Sequence, residues 1–215
     1  LEKTGFFSKL ILDYRSCKPS LSSFYSYPPD LKSFDKVIGD RQKQAVDRKV
    51  LVEVLTDQYK QSGISLEEKS PVYQNIQSLL NENTFTVTTG HQLCLFTGPL
   101  YFIYKILTTI KLSNEIASIQ NPESRIVPVY WMVTEDHDFE EINHINLYGK
   151  KLVWNCSLPH LGVGGQGGKF PPAGKIATKY LAPVIDELKT ILGTSESSEK
   201  LIDLFKEAYL NHSNM

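Results

Sequence analysis

Two clusters of side chains in this chain have types and spacings that could do chemistry. The first is Gly90-His91-Gln92 followed by Thr97-Gly98-Pro99-Leu100-Tyr101. An imidazole close to a proline that can open a helix would stand beside exposed helix amides, a setting suited to a carboxylate or a phosphate. Lys105 lies four residues after Tyr101, on the same helix face, and could reach the same pocket. The competing structural reading makes His91 a loop cap, Gly98 a turn residue, Tyr101 a core side chain and Lys105 a solvated lysine. The second cluster is Glu135-Asp136-His137-Asp138, with Glu140, Glu141 and His144 behind it. Four ionisable groups at the end of a buried strand are costly to remove from water unless they are paired or working. Acidic residues at the positive end of a helix would account for Asp138, Glu140 and Glu141. They would not account for Glu135 and His137, which stand as functional candidates.

Metal binding and nucleophilic catalysis find less support. His137, Glu141 and His144 share one face if the run is helical, but the H-E-x-x-H order is absent and no metal is implied. Cys94 follows His91 by three residues without a G-x-S-x-G elbow or a cysteine-protease context, so an inert buried thiol is the expectation. No G-x-G-x-x-G follows the first strand, which argues against a dinucleotide oxidoreductase.

The elements that must position these residues are legible from hydrophobic periodicity. Two runs, Phe85 to Thr89 and Ile126 to Val133, read as strands, and the nearly continuous apolar second run predicts a central parallel strand covered on both faces. Between them Pro99 can open a helix reaching about Ile119, with Leu100, Ile103, Tyr104, Leu107, Ile110 and Ile116 as its apolar stripe, closed by a turn at Asn121-Pro122. Two strands joined by such a helix run parallel, and ligands of open α/β sheets bind outside the strands' carboxyl ends. Upstream, Leu1 to Asp40 reads as short extended or turn segments, with Ser16 to Ser26 irregular. A helix is expected from Arg41 to Ser62, ended by Gly63, and a second one capped by Ser70 and opened by Pro71, ended at Asn81 to Asn83. Downstream, Ile145 to Leu147 and Lys151 to Cys156 read as a hairpin around Tyr148-Gly149. The run Gly162 to Gly168 reads as a connector or a lid, and helices are expected over Ala182 to Leu192 and Glu196 to Leu210.

Composition bounds the function class. The chain has 215 residues and a net charge of -1, which argues against a broad electrostatic footprint for nucleic acid. Hydrophobic residues make up 41% and charged ones 22%, enough for a soluble domain with a sizeable core. No apolar run approaches the roughly 20 residues that a bilayer requires. Three separated cysteines (Cys17, Cys94 and Cys156), with no signal peptide, fit a reducing cytoplasm.

The long segments T-T-G-H-Q-L-C-L-F-T-G-P-L-Y-F-I-Y-K-I and V-P-V-Y-W-M-V-T-E-D-H-D-F-E-E-I-N-H resemble the bacillithiol biosynthesis cysteine-adding enzyme family, BshC. The resemblance is densest from Thr86 to His144. It implies the last step of bacillithiol synthesis, in which a cysteine ligase joins L-cysteine to the amine of glucosaminyl-malate through an amide bond. The implied fold is a Rossmann-like parallel sheet flanked by helices, with a core similar to class I aminoacyl-tRNA synthetases and pantothenate synthetase. Residues 1–148 would supply amino-terminal helices and the first half of that core, and residues 149–215 the start of an inserted connecting-peptide region. The family is about twice this length, so the chain is expected to be an amino-terminal part, inactive alone, of a cytoplasmic homodimer joined by a coiled coil. ATP or another nucleotide is the implied activator, with no nucleic acid or membrane partner. The implied catalytic residues are His137, Glu135, Asp138 and His91, with Gly90, Gln92, Gly98, Pro99, Tyr101, Lys105, Trp131 and Asp136 binding substrate or nucleotide. The T-G-H-Q segment stands roughly where the fold relatives keep H-x-G-H, and many members of the family carry glutamine at the position of His91. A non-catalytic nucleotide- or sugar-binding module is the alternative function.

Overall fold

The computed structural model describes residues 1–119, 124–155 and 171–214. The Asn121-Pro122 turn, Cys156 and the Gly162 to Gly168 run lie outside the described residues. The chain divides into two units, Leu1–Val87 with Ile110–Pro128, and Thr88–Thr109 with Val129–Met215.

The first unit opens with two short helices, α1 (Lys9–Arg15) and α2 (Ser33–Arg41), separated by a 3-10 turn at Pro19–Phe24. This corrects the expectation of extended and turn segments through Asp40. Helices this short are set by their starts: Ser8 accepts the Ile11 amide, and Asp30 accepts both the amide and the hydroxyl of Ser33. The proline-aromatic punctuation breaks the chain between them.

The helix expected from Arg41 to Ser62 is likewise two elements. Arg41 closes α2, and α3 (Arg48–Gln61) begins afresh where Asp47 accepts the Val50 amide at 3.1 Å. Gly63, at φ 73, ends it in the left-handed conformation that glycine adopts freely. The helix α4 (Pro71–Ser78) starts as expected, with Ser70 as cap and Pro71 at its first turn. Val52 of α3 packs with Ile76 and Leu79, and Leu55 and Tyr59 lie against them. The Arg48 guanidinium donates to the carbonyls of Leu79, Glu82 and Thr84, so one planar donor group ties α3 to the end of α4 and the entry of the first strand.

Next come β1 (Thr84–His91), α5 (Leu100–Ile119) and β2 (Arg125–Met132). β1 and β2 pair in a two-stranded sheet. The Arg125 amide donates to Asn83, and the Val133 amide to His91. The same sequence offset separates the partners at both ends, as it must when strands run parallel. β1 is longer than its apolar run and takes in Gly90 and His91 as its last residues, whereas β2 starts and ends one residue earlier than its run. The expectation that β2 is covered on both faces is corrected: Val127 is buried, but Trp131 and Met132 are exposed. The stripe of α5 is largely exposed as well, at Leu100, Ile103, Tyr104, Leu107 and Ile110, while Ile116 is buried. A two-stranded sheet supplies too few neighbours to cover elements of this apolarity.

In the second unit the short helix α6 (Phe139–Ile142) leads into a hairpin of β3 (His144–Leu147) and β4 (Lys150–Val153), paired from His144↔Val153 to Leu147↔Lys150. Tyr148 and Gly149 both have positive φ (50° and 77°), the signature of a two-residue turn whose twist matches its strands. The helices α7 (Ala182–Leu192) and α8 (Glu196–Leu210) follow where periodicity places them, separated by Gly193 and capped by Ser195. The core of this unit gathers Leu95 and Phe96, Phe139 and Ile142, Leu152 and Trp154, Ile185 and Leu188, and Ile202 and Phe205.

Candidate functional site

The strand-to-helix turn after β1 is held in a demanding conformation. Phe96 and Thr97 lie at φ 48° and 68°, and Gly98 at φ 60°. Phe96 can sit there because its ring is buried against Phe205 and Tyr209, with centroids 4.9 and 5.7 Å away, and its amide donates to the Tyr209 hydroxyl. Gly98 is required twice over. Its backbone is left-handed, and a Cβ there would lie 2.3 Å from Cβ of Cys94. The turn delivers the chain to the first residues of α5, whose leading amides have no partner within the helix and carry the positive end of its dipole.

His91 ends β1 facing this turn. Its Nε2 lies 2.8 Å from the Tyr101 hydroxyl and its Nδ1 3.1 Å from the Gln92 carbonyl, with Cys94 Sγ at 3.6 Å. The Phe102 ring stands edge-on to the imidazole at 5.6 Å, and Tyr130 stands edge-on to Phe102 at 5.5 Å. The two last carbonyls of β1 are also bonded: Lys105 Nζ donates to Gly90, and the Tyr130 hydroxyl donates to His91 at 2.8 Å. Burial pushes the Tyr130 phenol up to about 12 and raises the Cys94 thiol, so both stay protonated at neutral pH.

The acidic segment is a braced turn. Asp136 accepts the Asp138 amide on one oxygen and the Gln92 side-chain amide on the other, at 3.1 and 2.7 Å, and these two bonds hold its carboxyl below the usual carboxylate range. Asp138 caps α6 by accepting the Glu141 amide. From far along the chain, the amides of Ala173 and Gly174 donate to the carbonyls of Asp136 and Thr134. Glu135, His137 and Asp138 are exposed. That corrects the premise that they are ionisable groups removed from water. α6 is only four residues long and His144 belongs to β3, so no helix aligns His137, Glu141 and His144. Among the described residues no three His, Cys, Asp or Glu side chains gather as a metal-binding set.

A cleft of about 1080 Å³ opens beside the turn. His91, Gln92, Gly98, Pro99 and Tyr101 line one side of it, and Glu141 and His144 line another. Ile145, Leu147, Leu188, Leu192, Leu204 and Phe205 supply an apolar wall. The structure therefore brings five of the expected site residues to one cleft. Asp136 joins through Gln92, Lys105 joins through Gly90, and Trp131 lies beside Gly90. Glu135, His137 and Asp138 do not line the cleft. Sequence reasoning passed over Tyr130, whose role depends on which side of β2 faces Phe102, and over the α7 and α8 residues, which stand about a hundred positions away from the turn. The donors at the turn are the α5 amides, with a glycine whose missing Cβ leaves room for close approach, and they suit the phosphate or carboxylate of a nucleotide or an acid substrate.

Across residues 1–215 the chain matches the family described as bacillithiol biosynthesis BshC, N-terminal Rossmann-like domain. The chain belongs to the BshC family. It is 46% identical over 218 residues to a protein of Flavobacterium psychrophilum named "Putative cysteine ligase BshC", covering 100% of this chain and 38% of that protein. A Flavobacterium johnsoniae protein of the same name is 44% identical over 216 residues, with the same coverage. One from Bacillus thuringiensis is 33% identical over 144 residues, covering 67% of this chain and 26% of its own length. The chain thus spans about 38% of the length of both Flavobacterium relatives. Its fold is the Rossmann-like α/β arrangement with a parallel sheet flanked by helices. Among the described residues no helix is long and apolar enough to cross a membrane.

Proposed function

We propose that this chain carries part of the site of a cysteine ligase, which forms an amide bond between the carboxyl of L-cysteine and the amine of glucosaminyl-malate in the last step of bacillithiol synthesis. The observation that carries this reading is the match to BshC over the whole chain, together with relatives whose name is that of a cysteine ligase. The geometry supports it, because one cleft combines an anion-seeking helix start with hydrogen-bonding side chains at the carboxyl end of a parallel strand. In this reading the amides at the start of α5, the bare Gly98 and Lys105 hold a carboxylate or phosphate. Glu135 or Asp138 holds the cysteine ammonium, and His137 orients it or moves a proton. ATP or another nucleotide, when bound, supplies the energy that activates the cysteine carboxyl.

The finer architecture belongs to the same proposal. The core is of the class I aminoacyl-tRNA synthetase and pantothenate synthetase kind, residues 149–215 begin a connecting-peptide insertion, and the longer protein is a cytoplasmic homodimer joined by a coiled coil. This segment alone is inactive. The test is a mass-spectrometric assay of thiol product, using a polypeptide of the relatives' full length with L-cysteine, glucosaminyl-malate and each nucleoside triphosphate. No cysteine-dependent product with any nucleotide overturns the reading. The position of Glu135 and His137 outside the cleft favours one rival, a binding module without catalysis. That rival predicts unchanged thiol levels when both residues are replaced by alanine in a complemented knockout.

A further inference from the structure

The hydrogen bonds around His91 fix which way each one points. The Gln92 carbonyl can only accept, so the imidazole Nδ1 beside it carries the hydrogen. The opposite tautomer would aim two lone pairs at each other across 3.1 Å. Cys94 Sγ, at 3.6 Å from the same nitrogen, is a weak partner that does not reverse this choice. In the neutral ring Nε2 is then a bare acceptor. Its neighbour at 2.8 Å is the Tyr101 hydroxyl, which must donate. The single hydroxyl hydrogen of Tyr101 is therefore spent on His91, and its oxygen offers only lone pairs to the cleft. Tyr101 is 55% exposed, at the mouth of the cleft, whereas the His91 ring is held from behind by Phe102.

We infer that Tyr101, rather than His91, meets the ligand: its hydroxyl oxygen accepts an N–H from an amine or ammonium, and His91 is a positioning residue that orients that oxygen by accepting its hydrogen. The amine in question is glucosaminyl-malate, an identity that rests on the function proposed above. This divides the cleft by polarity. The helix amides offer donors to an anion, and Tyr101 offers an acceptor to a cation or amine, as amide formation between two unlike groups requires. The charged and titratable groups around His91 are Tyr101 and Lys105 on α5, Cys94 in the turn, Tyr130 on β2, and Glu141 and His144 at the cleft.

Two measurements test this. In this chain labelled with 15N-histidine, the His91 ring shows hydrogen on Nδ1 and a bare Nε2, and Tyr101→Phe shifts the Nε2 resonance; a hydrogen on Nε2 at neutral pH overturns the inference. In a polypeptide of the relatives' full length, calorimetric binding of glucosaminyl-malate weakens about 10- to 100-fold in both Tyr101→Phe and His91→Leu, the loss expected for a hydrogen bond to a charged group. His91→Gln, whose amide oxygen can accept the hydroxyl, recovers most of that loss. Unchanged binding in Tyr101→Phe, or no recovery in His91→Gln with circular dichroism intact, overturns it. Wild-type protein that binds the amine yet forms no thiol product sinks the proposed function and leaves this assignment standing. Wild-type protein that does not bind the amine sinks the assignment itself.

Discussion

Tyr130 shows how much a single side chain contributes at the end of β1. Its hydroxyl bonds the His91 carbonyl and its ring backs Phe102, so it helps to fix the residue that orients Tyr101. Burial raises its phenol from 10.0 to about 12. An unfolded chain would ionise this group near pH 10, whereas the folded one resists until about pH 12, so the unfolded state releases its proton first. Its contribution to stability is therefore complete below pH 10 and disappears as the pH rises towards 12. An ultraviolet phenolate titration should show Tyr130 among the tyrosines that ionise late, with Tyr209 also raised by burial, and Tyr130→Phe should take one group out of that late phase and flatten the alkaline part of the stability profile. His91 and Tyr101 were legible as members of one site, because a strand end and a helix start bring them together, while the hydrogen bond between them is seen only in the structure. Tyr130 was not legible, since a continuous apolar run gives no sign of which face of the strand a residue occupies.

At the scale of elements, the turn between β1 and α5 carries the most constraint. Gly98→Ala meets both a disfavoured backbone region and the Cys94 side chain, and should destabilise the second unit by roughly 2–5 kcal/mol. Urea denaturation monitored by circular dichroism measures this, and a change under 1 kcal/mol would show that the turn can relax. The β-α-β order, the hairpin turn at Tyr148-Gly149 and the last two helices all follow from periodicity and turn residues. The split between α2 and α3 does not. Apolar spacing runs almost unbroken from Arg41 to Tyr59, and only the cap at Asp47 breaks the helix, a local hydrogen bond that periodicity does not report. The burial expected for the acidic run is corrected for a related reason. Strand ends in parallel sheets are commonly buried, but at Glu135, His137 and Asp138 this one emerges into water, where charge costs little.

For the molecule as a whole, the sequence identifies the apolar faces of α5 and β2 without saying what covers them. A parallel sheet is ordinarily covered on both sides, and two strands leave much of that surface open. The two tryptophans report on this directly: Trp131 on β2 is 58% exposed, and Trp154 in the core of the second unit is 1% exposed. Acrylamide should quench one of the two emitters strongly and the other hardly at all, with Trp131→Phe removing the accessible component. Equal quenching of both would contradict the exposed strand end. The amides of Ala173 and Gly174, which hold the carbonyls of Thr134 and Asp136, have a consequence of another kind. A grip made of main chain does not read side chains, so the acidic turn keeps its shape for as long as this backbone stays in place, and the burial of Ala173 in the core keeps it there. Gly174 adds a constraint of its own, since a side-chain carbon there would fall 2.8 Å from Cβ of Thr134, so any larger residue at that position would push the brace off the carbonyl it holds.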